Sequence, residues 1–154
     1  MGRVKVTAKA EYAVRAMLEL SATGDGLVKG ERIARSQAIP LKFLENILVD
    51  LRHADLVHAQ RGSEGGYRLA RDPQEITLGA VFRAVEGPLA SVRGQSPESM
   101  AYEGSAEHLR TVWIALRASL RSVLDDLTLA DVVAGRLPPS IQRLTEAPDA
   151  WLRR

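Results

Sequence analysis

Apolar residues recur at steps of three and four through "TAKAEYAVRAMLELSAT" (7–23). Ala13, Ala16, Met17 and Leu20 form the stripe and Val14 and Leu18 widen it, which predicts an amphipathic helix. Thr7 suits its N-cap, and Gly24 with Gly26 stops it. "GERIARSQ" (30–37) predicts a second, short helix, broken by "AIP" (38–40), because a residue before proline avoids the helical region. "LKFLENILVDLRHA" (41–54) predicts a third helix with Pro40 at its first turn. Leu44, Ile47, Leu48 and Leu51 make its buried stripe, while Lys42, Glu45, Asn46, Asp50, Arg52 and His53 point elsewhere. Asp55 ends this helix, since Asp tolerates the left-handed conformation better than most residues.

The pattern then shortens. "LVHAQ" (56–60) and "YRLAR" (67–71) predict two strands, and RGSEGG between them predicts a hairpin tip. A phosphate-cradling loop would need GxxxxGK[ST] running into a helix; here a strand and Asp72-Pro73 follow. Two helices, a tight turn and a hairpin make a helix-turn-helix followed by a wing, an arrangement that places a helix in a DNA major groove. Many helical hairpins share the spacing, so the pattern alone leaves DNA binding open. Arg61 at the wing's edge can enter a minor groove or clamp a phosphate; the plainer alternative is an ordinary hairpin with an exposed arginine.

Beyond the wing, "ITLGAVFRAVEGP" (76–88) predicts a helix capped by Thr77 and ended by Gly87-Pro88. Residues 89–105 lack a period and predict a flexible loop. In residues 106–127 apolar positions fall at Leu109, Trp113, Leu116, Leu120, Val123 and Leu127, a heptad seam that asks for a partner helix. The partner is either the helix's own domain or, better, a twofold-related copy, since readers of palindromes are commonly dimers. "TLADVV" (128–133) predicts a short capped helix, and 135–154, with three prolines, a disordered tail. The expected units are a DNA-binding domain (1–88), a loop (89–105), a dimerisation region (106–134) and the tail.

Composition narrows the chemistry. The 154 residues are 45% hydrophobic and 26% charged, the balance of a soluble globular domain. No apolar run approaches the ~18 residues of a membrane span. The start shows neither a signal peptide nor, after Met1-Gly2, a myristoylation pattern, so a cytoplasmic location without membrane contact is expected. With no cysteine and three scattered histidines (His53, His58, His108), thiolate chemistry, iron–sulfur ligation and paired-histidine metal sites are excluded. No catalytic constellation is present, so no enzyme is expected, nor any cofactor. Residues 1–71 carry 12 Lys/Arg against 8 Asp/Glu, and residues 72–154 carry 9 against 11, so the basic half holds the predicted helix-turn-helix.

"KAEYAVRAMLEL", "IPLKFLENILVDLRHADLV", "RGSEGGYRLAR" and "ITLGAVFRAVEG", in that order, resemble the Rrf-type winged-helix repressor family over Val6 to Gly87. The resemblance implies a mainly α fold with a small β-hairpin, a winged helix-turn-helix and a long dimerisation helix. It implies a homodimeric transcription regulator, usually a repressor, on a near-palindromic double-stranded DNA operator. Carried over by position, Lys42, Phe43, Glu45 and Asn46 fall on the DNA-reading face, Arg61 and Gly62 in the wing, and Thr7, Lys9 and Tyr12 where the first helix meets backbone phosphate. Glu45 can accept from cytosine N4, Asn46 can pair with adenine, and Lys42 can reach guanine or phosphate. Phe43 either faces DNA or packs on the first helix; Thr7, Lys9 and Tyr12 have plainer roles as cap, solvated charge and core-edge aromatic. Cluster-binding members carry three cysteines in the loop that here has none, so the resemblance is to the cluster-free branch. The effector expected for such a regulator is a metabolite or a partner protein. The competing reading is a winged-helix protein-interaction module that does not bind DNA.

Overall fold

The computed structural model describes residues 5–154; residues 1–4, and with them the Met1-Gly2 start, lie outside the described residues. Helix α1 (Ala8–Thr23) begins where the Thr7 hydroxyl accepts from the Ala10 N–H at 3.1 Å and stops at Gly24, φ 81°. Helix α2 (Gly30–Gln37) ends with Ala38 in the left-handed region, and Pro40 starts α3 (Leu41–His53). Asp55 closes α3 at φ 57°. Strands β1 (Val57–Gln60) and β2 (Gly66–Leu69) pair antiparallel, Val57 opposite Leu69 and Gln60 opposite Gly66. Helix α4 (Leu78–Glu86), capped by Thr77, packs on both α1 and α3.

The apolar stripes meet in one core. Met17 and Leu20 of α1, Ile33 of α2, Leu44, Ile47, Leu48 and Leu51 of α3, and Ile76 and Val81 are all under 2% exposed. Burying side chains of this size stabilises by roughly 1.5–3 kcal/mol each. This core fixes the outward face of α3, because a helix that buries positions 44, 47, 48 and 51 must expose 42, 45 and 46.

Several sequence expectations are corrected. The hairpin has a third edge: Val28 bridges to Tyr67, each N–H donating to the other's carbonyl at 2.8 Å. Residues 89–105 hold a Val92–Gln95 bridge and two 3₁₀ turns (Pro97–Ser99 and Gly104–Ala106), with Pro97 and Met100 buried. The expected disordered tail contains helix α7 (Pro139–Thr145), which buries Ile141.

The long helix α5 (Leu109–Leu124) ends earlier than the heptad count expects. Leu127 therefore lies beyond it and is buried within its own chain, where its carbonyl accepts from the Leu78 N–H at 2.9 Å. It is not part of a dimer seam. The break has a local cause: Thr128 and Asp131 form a capping box that starts α6 (Leu129–Ala134). Leu129 is fully buried in the winged-helix core, so α6 packs with that core.

Candidate nucleic-acid interface

Lys42, Glu45 and Asn46 share one face at the start of α3, at i, i+3 and i+4. All three are exposed, and among the described residues none of their side chains has an internal hydrogen bond or ion pair. One cation, one anion and one amide thus stand together on a helix whose other side is locked into the core. Donors and acceptors of this kind match base edges in a major groove.

Phe43 is placed differently. Its ring meets the Tyr12 ring edge-on, 5.5 Å between centroids at 82°, and Arg15 lies 4.9 Å from the Tyr12 centroid on α1. Phe43 thus packs on the first helix, although 42% of it is exposed. Lys9 ion-pairs with Asp50 of α3 at 2.9 Å. The Thr7 hydroxyl donates to Glu86 while its oxygen caps α1. Thr7, Lys9 and Tyr12 thus tie the start of α1 to α4 and α3. A cleft of about 180 Å³ between Lys9, Phe43, Asn46 and Ile47 marks that junction.

The wing's glycines serve three different needs. Gly62 adopts φ +102° with open space around it, a conformation that L side chains resist. A Cβ on Gly65 would stand 2.0 Å from the Gln60 carbonyl oxygen, so the chain closes on itself there. A Cβ on Gly66 would stand 2.7 Å from the Val28 oxygen, where the third edge joins. Arg61 is exposed and has no internal partner among the described residues.

Lys29 was missed by sequence reasoning. Its ammonium donates to the carbonyls of Gly62 at 3.1 Å and Ser63 at 2.7 Å. Lys29 is also the N-cap residue of α2, so one side chain pins the wing tip to the helix-turn-helix. No periodic pattern reaches this residue; the only signal is a lone lysine before a short helix.

A helix-turn-helix with an outward polar face and a pinned glycine wing is the geometry of a DNA reader. A family model described as Rrf2, iron-dependent transcriptional regulator, matches residues 6–135. The chain belongs to the Rrf2 family. A Mycobacterium tuberculosis protein named as an HTH-type transcriptional regulator is 48% identical over 144 residues, covering 93% of this chain and 89% of that one. The solved structure of CymR, the global cysteine regulator of Bacillus subtilis, is 33% identical with a TM-score of 0.72, covering 86% of this chain and 98% of that one. IscR of T. potens is 35% identical with a TM-score of 0.69, covering 86% and 88%. As an Rrf2 protein the chain is a DNA-binding transcriptional regulator, not an enzyme.

The iron in the family's description finds no home in this donor set. The chain has no cysteine, and among the described residues no three His, Asp or Glu side chains gather as metal ligands. The segment that bridges α4 and α5 offers Glu98, Glu103, Glu107 and His108; Glu98 is committed to Arg117 at 2.6 Å, and Glu107 stands 3.2 Å from its neighbour His108. Hard carboxylates at separate points do not replace thiolates around an iron–sulfur cluster.

Proposed function

We propose that the chain is a dimeric, cytoplasmic repressor that reads a near-palindromic operator through Lys42, Glu45 and Asn46, with Arg61 of the wing in the flanking minor groove or on a phosphate. The observation that carries this reading is the unpartnered polar face of α3 beside a wing held in place by Lys29. Glu45 accepts from a cytosine amine, Asn46 pairs with adenine, and Lys42 takes a guanine or a phosphate. Phe43 and Tyr12 set the angle between α1 and α3. Thr7 and Lys9 lie at the phosphate-facing end of α1, and Gly62 lets the wing turn.

Dimerisation through α5 completes the reading. No residue of α5 is buried in the protomer; Leu109, Leu116, Leu120 and Val123 are only half-covered, while Trp113, also half-covered, bonds Tyr102 of its own chain. Such a helix gains most by packing on its copy. The effector is a metabolite or a partner protein.

The test is to sequence the fragments of its own genome that the protein retains, then to footprint and titrate the recovered site at two salt concentrations. A symmetric footprint bound by two protomers, with affinity falling as salt rises, is expected. Absence of any duplex binding at low salt would instead support the protein-interaction module.

A further inference from the structure

A groove of about 290 Å³ opens between the C-terminal end of α4, the 88–97 segment and α5. Leu89 and Pro97, both buried, form its floor. Arg117 and Arg121, one helical turn apart on α5, line it, and so does Glu86 from the end of α4. Its size sits at the bottom of the ~300–1,000 Å³ range of small-molecule sites.

The two arginines are not equivalent. Arg117 is mostly buried, its side chain 16% exposed, and donates to Glu98 at 2.6 Å. The Glu98 carboxyl is held below its ordinary range, first by a hydrogen bond from its own backbone and then by Arg117. The Arg121 guanidinium makes no hydrogen bond or ion pair among the described residues, although its charge reaches the Glu98 and Asp125 carboxylates. The groove therefore offers one committed and one free guanidinium above an apolar floor, with the Ser96 hydroxyl near by.

The segment that shapes the groove is strained. Ala90 at φ 55° and Arg93 at φ 50° both sit in the left-handed region without being glycine. Such residues cost on the order of 1 kcal/mol or more each and cluster at ligand clamps and switch regions. The groove also connects to the DNA-facing side: Glu86 accepts from the hydroxyl of Thr7, the residue that caps α1.

We propose that this groove binds a small organic monoanion, a carboxylate with a short apolar body, and that its occupancy changes operator affinity through Glu86 and Thr7. One free guanidinium selects a single negative charge, and bidentate pairing suits a carboxylate. The apolar floor of Leu89 and Pro97 takes the hydrocarbon part. The regulatory half rests on the repressor reading above; the binding half does not.

The test uses the full chain, free of DNA, titrated with sodium hexanoate and followed by backbone amide NMR. Saturable shifts confined to residues 86–97 and 117–121 are expected. Arg121→Gln should weaken binding at least tenfold, and Arg110→Gln, elsewhere on α5, should leave it unchanged. Inorganic phosphate should bind at least tenfold more weakly than hexanoate; equal binding would show that the apolar floor is unused and overturn the ligand class. Shifts that do not saturate, or that survive Arg121→Gln in a folded variant, overturn the site. The second arm measures operator affinity with and without saturating hexanoate. A change of at least threefold that Thr7→Val abolishes is expected, and an unchanged affinity in the parent overturns the coupling. A chain that bound no operator would leave the hexanoate result standing and sink only the DNA reading.

Discussion

Arg61, Lys29 and Gly65 lie within one small hairpin region, yet each should respond differently to replacement. Arg61 is exposed and its side chain makes no internal hydrogen bond or ion pair among the described residues, so Arg61→Ala should cost about 1–3 kcal/mol in operator binding, the scale of one good DNA contact. Its thermal midpoint should barely move, since exposed substitutions usually change stability by less than ~0.5 kcal/mol. Lys29→Met removes the two hydrogen bonds to the wing tip without removing a residue assigned to DNA. It should weaken operator binding by freeing the wing, and hydrogen exchange at residues 61–66 should quicken. Gly65→Ala forces a methyl into a position 2.0 Å from a backbone oxygen, so the hairpin must open. Backbone shifts of this kind typically cost about 1–3 kcal/mol, visible both in the melt and in DNA binding. Glu45→Ala belongs to another class: it should relax preference at one operator position, because it removes an acceptor and also a repulsion from phosphate. A parent-like operator affinity for Arg61→Ala, measured by fluorescence anisotropy, would show the glycine stretch to be a structural hairpin only.

Helices announced themselves where their own pattern was long and their ends were punctuated. The starts and stops at Thr7, Gly24, Pro40, Asp55 and Thr77 were legible because each is a local backbone event. The polar face of α3 was legible too, as the complement of its buried stripe. Contacts between distant segments were not. Val28 joins the wing through a pairing 39 residues away in sequence, and Lys29 reaches the wing tip across a similar gap. Leu127 kept the heptad step although the helix had already ended, because spacing in a sequence does not register a change of direction. The T-x-x-D box at Thr128–Asp131 was the available signal for that break. Just before it, Arg83 of α4 forks onto Asp125 at 2.8 and 2.7 Å, joining α4 to the end of α5. That hydrogen-bonded pairing raises the Arg83 pKa and lowers that of Asp125. A carboxyl depressed in the folded state stabilises above its unfolded pKa of about 3.9 and loses that contribution as pH falls through its folded value. Asp125→Asn should therefore melt lower than the parent at pH 6, and the difference should shrink as the pH drops below about 4. A difference that stays constant across that range would mean the charge of the Asp125 carboxylate contributes nothing to this junction.

At the scale of the whole molecule, the winged-helix body is closed and α5 is not. Val112 is 53% exposed, and by helical geometry it lies on the flank shared by Leu109, Leu116 and Val123, at steps of three, four and seven. Trp113 and Arg117, by contrast, turn toward their own chain, where they bond Tyr102 and Glu98. The flank from Leu109 to Val123 is therefore the surface that the proposed twofold mate would cover. Val112→Glu is the clean probe, since the side chain is already in water in the protomer and the protomer's fold should survive. In a dimer it would bury a charge without a partner, a cost of several kcal/mol; even about 3 kcal/mol weakens association roughly a hundredfold. Light scattering after size exclusion at micromolar concentration should then report a monomer whose circular dichroism matches the parent's. Operator affinity should fall with it, because a lone protomer engages one half-site and loses the second as an intramolecular event. Adding Leu116→Glu should deepen the effect. If both variants remain dimeric, the helices meet on another face, and the half-site geometry must be rebuilt from that face.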